Sequence, residues 1–218
     1  MSKDIRFAVV LAGCGVYDGA EIHEATLTLY AIVSNGASYQ VFAPDINQHH
    51  VINHLTGEEM IEKRNVLVEA ARIARGNAKP LSDYNPKDFD ALIFPGGFGV
   101  AKNLCSFAFE GSKCKVNPEV EKAIVETHKL HKPIGALCIS PVLLAKIIDR
   151  PLITIGQDKE TAKAVENMGA IHEYTNHGEV TYDKFRNIFT TPCYMLDATI
   201  VDIANGANAI VKQMIKKI

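Results

Sequence analysis

Cys138 stands where the apolar run Pro133-Ile134-Gly135-Ala136-Leu137 meets a helix-period segment beginning Ile139-Ser140-Pro141-Val142. A strand that feeds straight into a helix turns sharply and lifts one side chain into the cleft above a sheet. That is the geometry of a nucleophile elbow, usually G-x-S-x-G. Here the run is Gly135-Ala136-Leu137-Cys138-Ile139-Ser140, with Ser140 in place of the second glycine. A thiol at a helix N-terminus feels the positive end of the helix dipole, which favours the thiolate. The expectation is therefore a thiol below the free value of about 8.5. Burial and an ionised carboxylate nearby oppose this, so the lowering requires a protonated carboxyl that donates to the sulfur. A thiol at or above the free value would speak against a thiolate and for a structural cysteine, the common fate of free cysteines.

Two glycine loops and one acidic helix start could serve such a nucleophile. Pro95-Gly96-Gly97-Phe98-Gly99 ends an apolar strand run. Adjacent glycines let backbone N–H groups converge, as oxyanion stabilisation requires, although P-G-G also occurs in ordinary turns. Gly13-Cys14-Gly15-Val16-Tyr17-Asp18-Gly19 is one residue longer than the dinucleotide fingerprint G-x-G-x-x-G, so a turn is the better reading. Directly after it come Glu21, His23 and Glu24. A carboxylate at a helix start is ordinarily favourable charge placement, but beside a thiol it is a candidate general acid/base.

The other cysteines are Cys14, in the loop after the first strand run, and Cys105, Cys114 and Cys193, none at a helix start. An odd number at irregular spacing, with no C-x-x-C, fits a reducing compartment better than a disulfide framework. No His/Cys cluster has zinc spacing, so no metal is expected. Charges nearly cancel, at −2, which gives no reason to expect nucleic acid or an anionic membrane as partner. No apolar stretch approaches the ~18 residues of a spanning helix. The start, MSKDIRFAVVLAG, lacks the features of a signal or transit peptide. The expectation is a cytoplasmic chain, or one already mature in an organelle.

The elements that must position these residues alternate. Strand-like runs fall at 5–12, 39–43, 89–97, 133–138 and 152–155, with β character over 171–190. Helix-period segments fall at 21–35, 65–75, 117–131, 140–148, 161–168 and 196–216, several closed by glycine. Residues 46–62 are irregular, with a hairpin turning near Gly57. At 218 residues and with no linker or repeat, the chain is read as one α/β domain over 1–218. Its sheet should be mostly parallel and covered by helices on both faces. Ligands of such sheets bind beyond the carboxyl ends of the strands, which selects the loops at 13–21, 44–58, 95–104 and 138–141.

With PGGFGVAKNL (95–104) and LCISP (137–141) in one such chain, the sequence resembles the class I glutamine amidotransferase-like superfamily, in the branch of PfpI and the parkinsonism-associated deglycase. It is most similar to the ElbB group, the bacterial isoprenoid biosynthesis glyoxalase proteins, which also has a vertebrate mitochondrial relative. GCGVYDGAEIHEA (13–25), HVINHLTGE (50–58), RNVLVEAARIARG (64–76) and TTPCYML (190–196) extend the resemblance almost end to end. It implies a flavodoxin-like three-layer sandwich, usually a homodimer. It further implies Cys138 as elbow cysteine and Gly97 and Ile139 as oxyanion N–H donors. A glutamate is implied beside the thiol, with Glu24 favoured over Glu21 by counting twelve residues back from Gly36. Glu21, Gly96, Asn103 and Cys14 are the remaining pocket candidates. PfpI-type proteases carry His directly after the cysteine, where this chain has Ile139. The downstream pairs His172-Glu173 and His177-Gly178-Glu179 lack the proline context of an amidotransferase triad. The resemblance therefore implies glyoxalase III-like chemistry on a small aldehyde, needing no cofactor, metal or glutathione. A redox-sensing regulator and a hydrolase or amidotransferase subunit are the alternatives.

Overall fold

The apolar run after Asp4 forms β1 (Arg6–Val10), whose last four residues are fully enclosed, so both sheet faces must be covered. In the computed structural model, which describes residues 4–218, the elements continue in order. They are α1 (Ile22–Ser34), β2 (Ser38–Ala43), α2 (Val66–Ile73), β3 (Ala78–Pro80), β4 (Ala91–Phe94), α3 (Phe107–Glu110), α4 (Pro118–Lys129) and β5 (Ile134–Leu137). Then follow α5 (Pro141–Ile147), β6 (Leu152–Ile153), α6 (Lys159–Asn167), β7 (Ile171–His172), β8 (Thr181–Asp183), β9 (Ile188–Thr191) and α7 (Ile200–Ile215).

The main sheet runs β3-β2-β1-β4-β5-β9-β8. All its pairings are parallel except β8 with β9. Helices α1, α2 and α7 cover the face that carries Phe7, Val9 and Ile93. Helices α4, α5 and α6 cover the opposite face, with Ala8, Val10 and Leu92. The result is the expected α/β flavodoxin-like sandwich.

Local signals set most element ends. Asn65, Asn117 and Asp158 each accept backbone N–H groups at the start of α2, α4 and α6, the usual work of such caps. Helix α7 starts four residues later than periodicity suggests, because Thr199 and Asp202 form a reciprocal capping box there. The residues around Gly57 do close a small hairpin, with Ile52 bridged to Glu59.

Several features depart from the sequence reading, the short edge strand β3 among them, which no apolar run announced. The strand expected at 152–155 leaves the main sheet and pairs β6 with β7 in a separate ribbon. Residues 100–104 form a π-helical turn and Phe107–Glu110 a one-turn helix, neither expected. Both are too short to show a period.

Beyond β1 the chain crosses through α1 to β2 on one side, and later returns to β4 on the other side of β1. Strand order therefore reverses between β1 and β4. Outside the carboxyl ends at such a reversal a crevice opens, and β5, which carries Cys138, is the next strand.

Candidate active site

Three strand ends meet in this crevice. After β1 the loop from Gly13 to Ala20 folds on itself, with Gly15 N–H on Ala20 O at 2.8 Å. It delivers Glu21 to the N-cap of α1, where Oε2 accepts Glu24 N–H at 2.7 Å. After β4 the Gly-Gly loop packs backbone against backbone on this first loop. Glu21 N–H donates to Gly96 O at 2.9 Å, Phe98 N–H to Val16 O at 2.8 Å, and Gly99 N–H to Gly19 O at 2.9 Å.

Gly97 can hold this position only as glycine: its φ is +106°, and a Cβ would lie 2.4 Å from Glu21 N. Gly96 is excluded from any larger residue by the site itself. A Cβ there would lie 2.5 Å from Cys138 Cβ and 2.7 Å from Glu24 Oε2.

After β5, Cys138 adopts φ +58°, a left-handed conformation that a non-glycine residue takes at a cost of about 1–3 kcal/mol. Cys138 N–H donates to Thr191 O at 3.0 Å, and Ser140 Oγ donates to Pro95 O at 2.8 Å. The serine that replaces the elbow's second glycine thus ties the elbow to the Gly-Gly loop. The N–H groups of Gly97 and Ile139 both point at the Cys138 sulfur.

Glu24 is fully buried. Its Oε2 accepts Gly96 N–H at 2.9 Å and its Oε1 accepts Tyr194 N–H at 3.2 Å. The Cys138 thiol also hydrogen-bonds this carboxyl group. Burial pushes the Glu24 pKa up, the N–H groups of Tyr194 and Gly96 pull it down, and the charge of Glu21 adds to the rise; the outcome is about 7. The thiol moves the same way. Burial raises the Cys138 pKa well above the free value and the Glu24 charge adds to it, outweighing the N–H groups of Gly97 and Ile139.

The expected thiolate is thereby corrected. The physical reason is that α5 begins only at Pro141 and is short, so its dipole is weak at the sulfur, while desolvation acts fully. A raised thiol alone would suit a structural cysteine. The left-handed elbow, two convergent N–H groups and a carboxyl titrating near neutrality make an arrangement that packing does not require.

The open side is a cleft of about 390 Å³ reaching Cys138, Gly97, Ile139 and Glu21. Val16, Phe98, Ala101, Phe107 and Met195 make its apolar wall, and Asp158, Thr161 and Tyr194 its remaining polar groups. Cys138, Glu24, Glu21, Gly96, Gly97 and Ile139 are thus brought together. Asn103 and Cys14 do not line the cleft. Asn103 is a buried brace, its amide donating to Ala12 O at 3.0 Å and Asp18 O at 2.9 Å and its Oδ1 accepting His49 N–H at 2.9 Å. Cys14 is half-buried, with Glu69, Arg72 and Asp18 as charged neighbours.

His172 Nε2 accepts Ile155 N–H at 3.2 Å in the side ribbon, and His177 lies near Asp202. Neither lines the cleft. Among the described residues no three His, Cys, Asp or Glu side chains converge as a metal site requires. Sequence reasoning missed Tyr194, which lines the cleft, clamps Glu24 through its backbone and accepts or donates at 2.8 Å with His23 Nδ1. Its only signal was membership of the TTPCYML segment.

No protein-family model matches the chain. The rat "ES1 protein homolog, mitochondrial" is 46% identical over 97% of this chain and 83% of its own length. The human "Glutamine amidotransferase-like class 1 domain-containing protein 3, mitochondrial" is 44% identical over 97% and 82%. An isoprenoid biosynthesis protein with an amidotransferase-like domain, from Ehrlichia chaffeensis, superposes with a TM-score of 0.91 at 34% identity, covering 98% of this chain and all of that one. Glyoxalase III of Candida albicans shares the fold, with a TM-score of 0.61 at 13% identity over 97% and 96%.

The expected cytoplasmic placement is overturned by these relatives, since the rat, human and zebrafish proteins are named mitochondrial. A compartment is addressed by a signal separate from the fold, so the residues of a first strand carry no information about it. By sequence along nearly its whole length, and by fold, the chain belongs to the glutamine amidotransferase-like class 1 family of the ES1 and ElbB-like proteins.

Proposed function

We propose that this protein is a cofactor-independent glyoxalase that converts glyoxal or methylglyoxal to a 2-hydroxy acid through Cys138. The observation that carries the reading is the buried Glu24, which titrates near neutrality against the Cys138 thiol. A base works best with a pKa near the working pH, and the cleft offers no histidine.

The step sequence follows from the positions. Glu24 takes the thiol proton as the sulfur adds to the aldehyde carbon. The new oxyanion lies toward the N–H groups of Gly97 and Ile139 and takes that proton back from Glu24, which completes a hemithioacetal and leaves Glu24 ionised again. Glu24 then removes the C–H proton of that carbon while the hydroxyl proton passes to the second carbonyl oxygen, and it returns the C–H proton to the neighbouring carbon as the first oxygen becomes the carbonyl. The product is the thioester of the 2-hydroxy acid. Water cleaves it and restores the thiol, so the net reaction adds one water to the dicarbonyl. A neutral thiol with an adjacent base suits this scheme, because no thiolate need accumulate. The apolar cleft accommodates a small uncharged dicarbonyl, and a fold neighbour bears the name glyoxalase III.

The redox-sensor alternative is disfavoured by the raised thiol, since oxidation follows thiolate character. The hydrolase alternative lacks a histidine in the cleft. A homodimer belongs to the same proposal and is checked by sedimentation equilibrium. The deciding experiment incubates purified protein and its Cys138→Ala variant with methylglyoxal and glyoxal, following lactate and glycolate by chromatography. Product from the wild type alone supports the reading; equal background from both removes it.

A further inference from the structure

The cleft over Cys138 is larger than methylglyoxal requires. Its volume is about 390 Å³. A molecule of liquid water takes about 30 Å³, and bonded heavy atoms pack closer than that. The five heavy atoms of methylglyoxal therefore fill less than about 150 Å³. The remaining space has a direction. Cys138 and Gly97 are buried and form the closed end, whereas Phe98 and Asp158 are exposed and form the mouth. Val16, Ala101, Phe107 and Met195 make the rest of the wall apolar.

The charge of the cleft has one sign. Glu21 and Asp158 line it, and among the described residues no Lys, Arg or His does. Lys102 lies over the Phe98 ring at 5.7 Å, but its ammonium donates to Tyr17 O at 2.9 Å. His23 is held by the Tyr194 hydroxyl at 2.8 Å. At the mouth the hydroxyl and the N–H of Thr161 both donate to the Asp158 carboxylate, which keeps it ionised. An entering anion meets repulsion and no partner, and an unpaired charge is costly to bury against apolar side chains. An apolar group, by contrast, gains by leaving water for this wall.

We propose that the preferred substrates of this cleft are uncharged 2-oxoaldehydes that carry an apolar arm, aryl or branched alkyl, and that their anionic counterparts are rejected. This rests on the glyoxalase reading, in which the aldehyde carbon must reach Cys138. The arm then runs from the closed end past Phe107 toward Phe98 and Asp158. It changes no step of the reaction. The sulfur adds to the aldehyde carbon, the aldehyde C–H proton moves to the carbon that bears the arm, and water cleaves the thioester. Phenylglyoxal and one water thus give mandelate and a proton. Its ten heavy atoms fill less than about 300 Å³, within the volume of the cleft.

The test compares initial rates for methylglyoxal, phenylglyoxal and para-carboxyphenylglyoxal, following lactate and the two mandelates by chromatography, with the Cys138→Ala background subtracted. One methylene in an apolar pocket is worth about tenfold or more in kcat/KM, so phenylglyoxal should exceed methylglyoxal by at least about tenfold. The para-carboxylate should fall about tenfold or more below phenylglyoxal. Phe98→Ala, at an exposed position of the wall, should lower the ratio of phenylglyoxal to methylglyoxal about tenfold, a ratio that a general loss of activity does not move. Asp158→Asn keeps a helix-capping side chain and should recover about threefold of the penalty on the carboxylate. Methylglyoxal turned over as well as phenylglyoxal, or the carboxylate accepted as well as its uncharged parent, overturns the proposal and leaves the glyoxalase reading standing. Product from none of the three dicarbonyls removes both.

Discussion

Tyr194 donates its backbone N–H to Glu24 Oε1 at 3.2 Å, joining the turn after the last parallel strand to the first helix of the chain. With Gly96 N–H on the other oxygen, the carboxyl group is gripped from two loops that meet only in the folded state. Two N–H donors favour the charged form and complete burial disfavours it. Burial prevails, so the group titrates at about 7 instead of near 4.5.

Turnover should follow that titration. With Glu24 as the base, kcat/KM falls as pH drops through about 7, with a slope of one proton. Glu24→Gln lowers turnover by about 10²-fold or more and removes this acid limb. A pH–rate profile of the variant that keeps the limb assigns it to another group.

Stability should carry the same signature with a defined sign. A carboxyl whose folded pKa lies above its unfolded value stabilises most at low pH and loses that contribution as pH rises through the folded pKa. Between the ordinary value of 4.5 and about 7 the folded state holds the proton and the unfolded chain does not, so stability falls as pH rises. The wild type should lose about 3 kcal/mol across this window relative to Glu24→Gln, at 1.36 kcal/mol per unit. Urea unfolding of both proteins at several pH values measures the difference.

Cys138 should be a slow thiol toward alkylation at neutral pH. Its pKa is raised by burial and by Glu24, so iodoacetamide labelling should climb with a midpoint above the free value of about 8.5. In Glu24→Gln the midpoint should fall, since the repelling charge is gone. Mass spectrometry of the Cys138 peptide against pH reads both.

The left-handed elbow sets activity against stability. Cys138→Ser should abolish turnover and leave the fold intact. Cys138→Gly should also be inactive, yet more stable than Cys138→Ala by about 1 kcal/mol, because glycine takes φ +58° without a Cβ penalty. Equal stabilities for the two variants would mean that the backbone relaxes at this position.

Gly96→Ala tests how closely the two reacting groups are packed. Its Cβ must enter space held by Cys138 Cβ and Glu24 Oε2. The expected outcome is a loss of about 1–3 kcal/mol in stability, the usual scale of overpacking, together with loss of turnover. Thermal unfolding alongside the aldehyde assay reports both.

The sequence by itself determined where elements begin and end and which side chain stands at the elbow. Asn65, Asn117 and Asp158 cap helices, Gly36, Gly76 and Gly169 follow their ends with positive φ, and the run Ile134–Leu137 delivers Cys138. These signals are local, written in caps and periods a few residues long. Which glutamate serves the sulfur was narrowed by spacing and decided by packing, because Glu21 spends an oxygen on the helix cap while Glu24 turns inward. The charge on the thiol lay beyond any local reading. It is a sum over burial, Glu24, Gly97 and Ile139, groups from three segments whose distances exist only once the sheet is assembled. The same holds for Tyr194 and Phe107 in the cleft wall. Residues far apart in the chain, or joined by a hairpin with no period of its own, acquire their chemistry from neighbours that only the tertiary fold supplies.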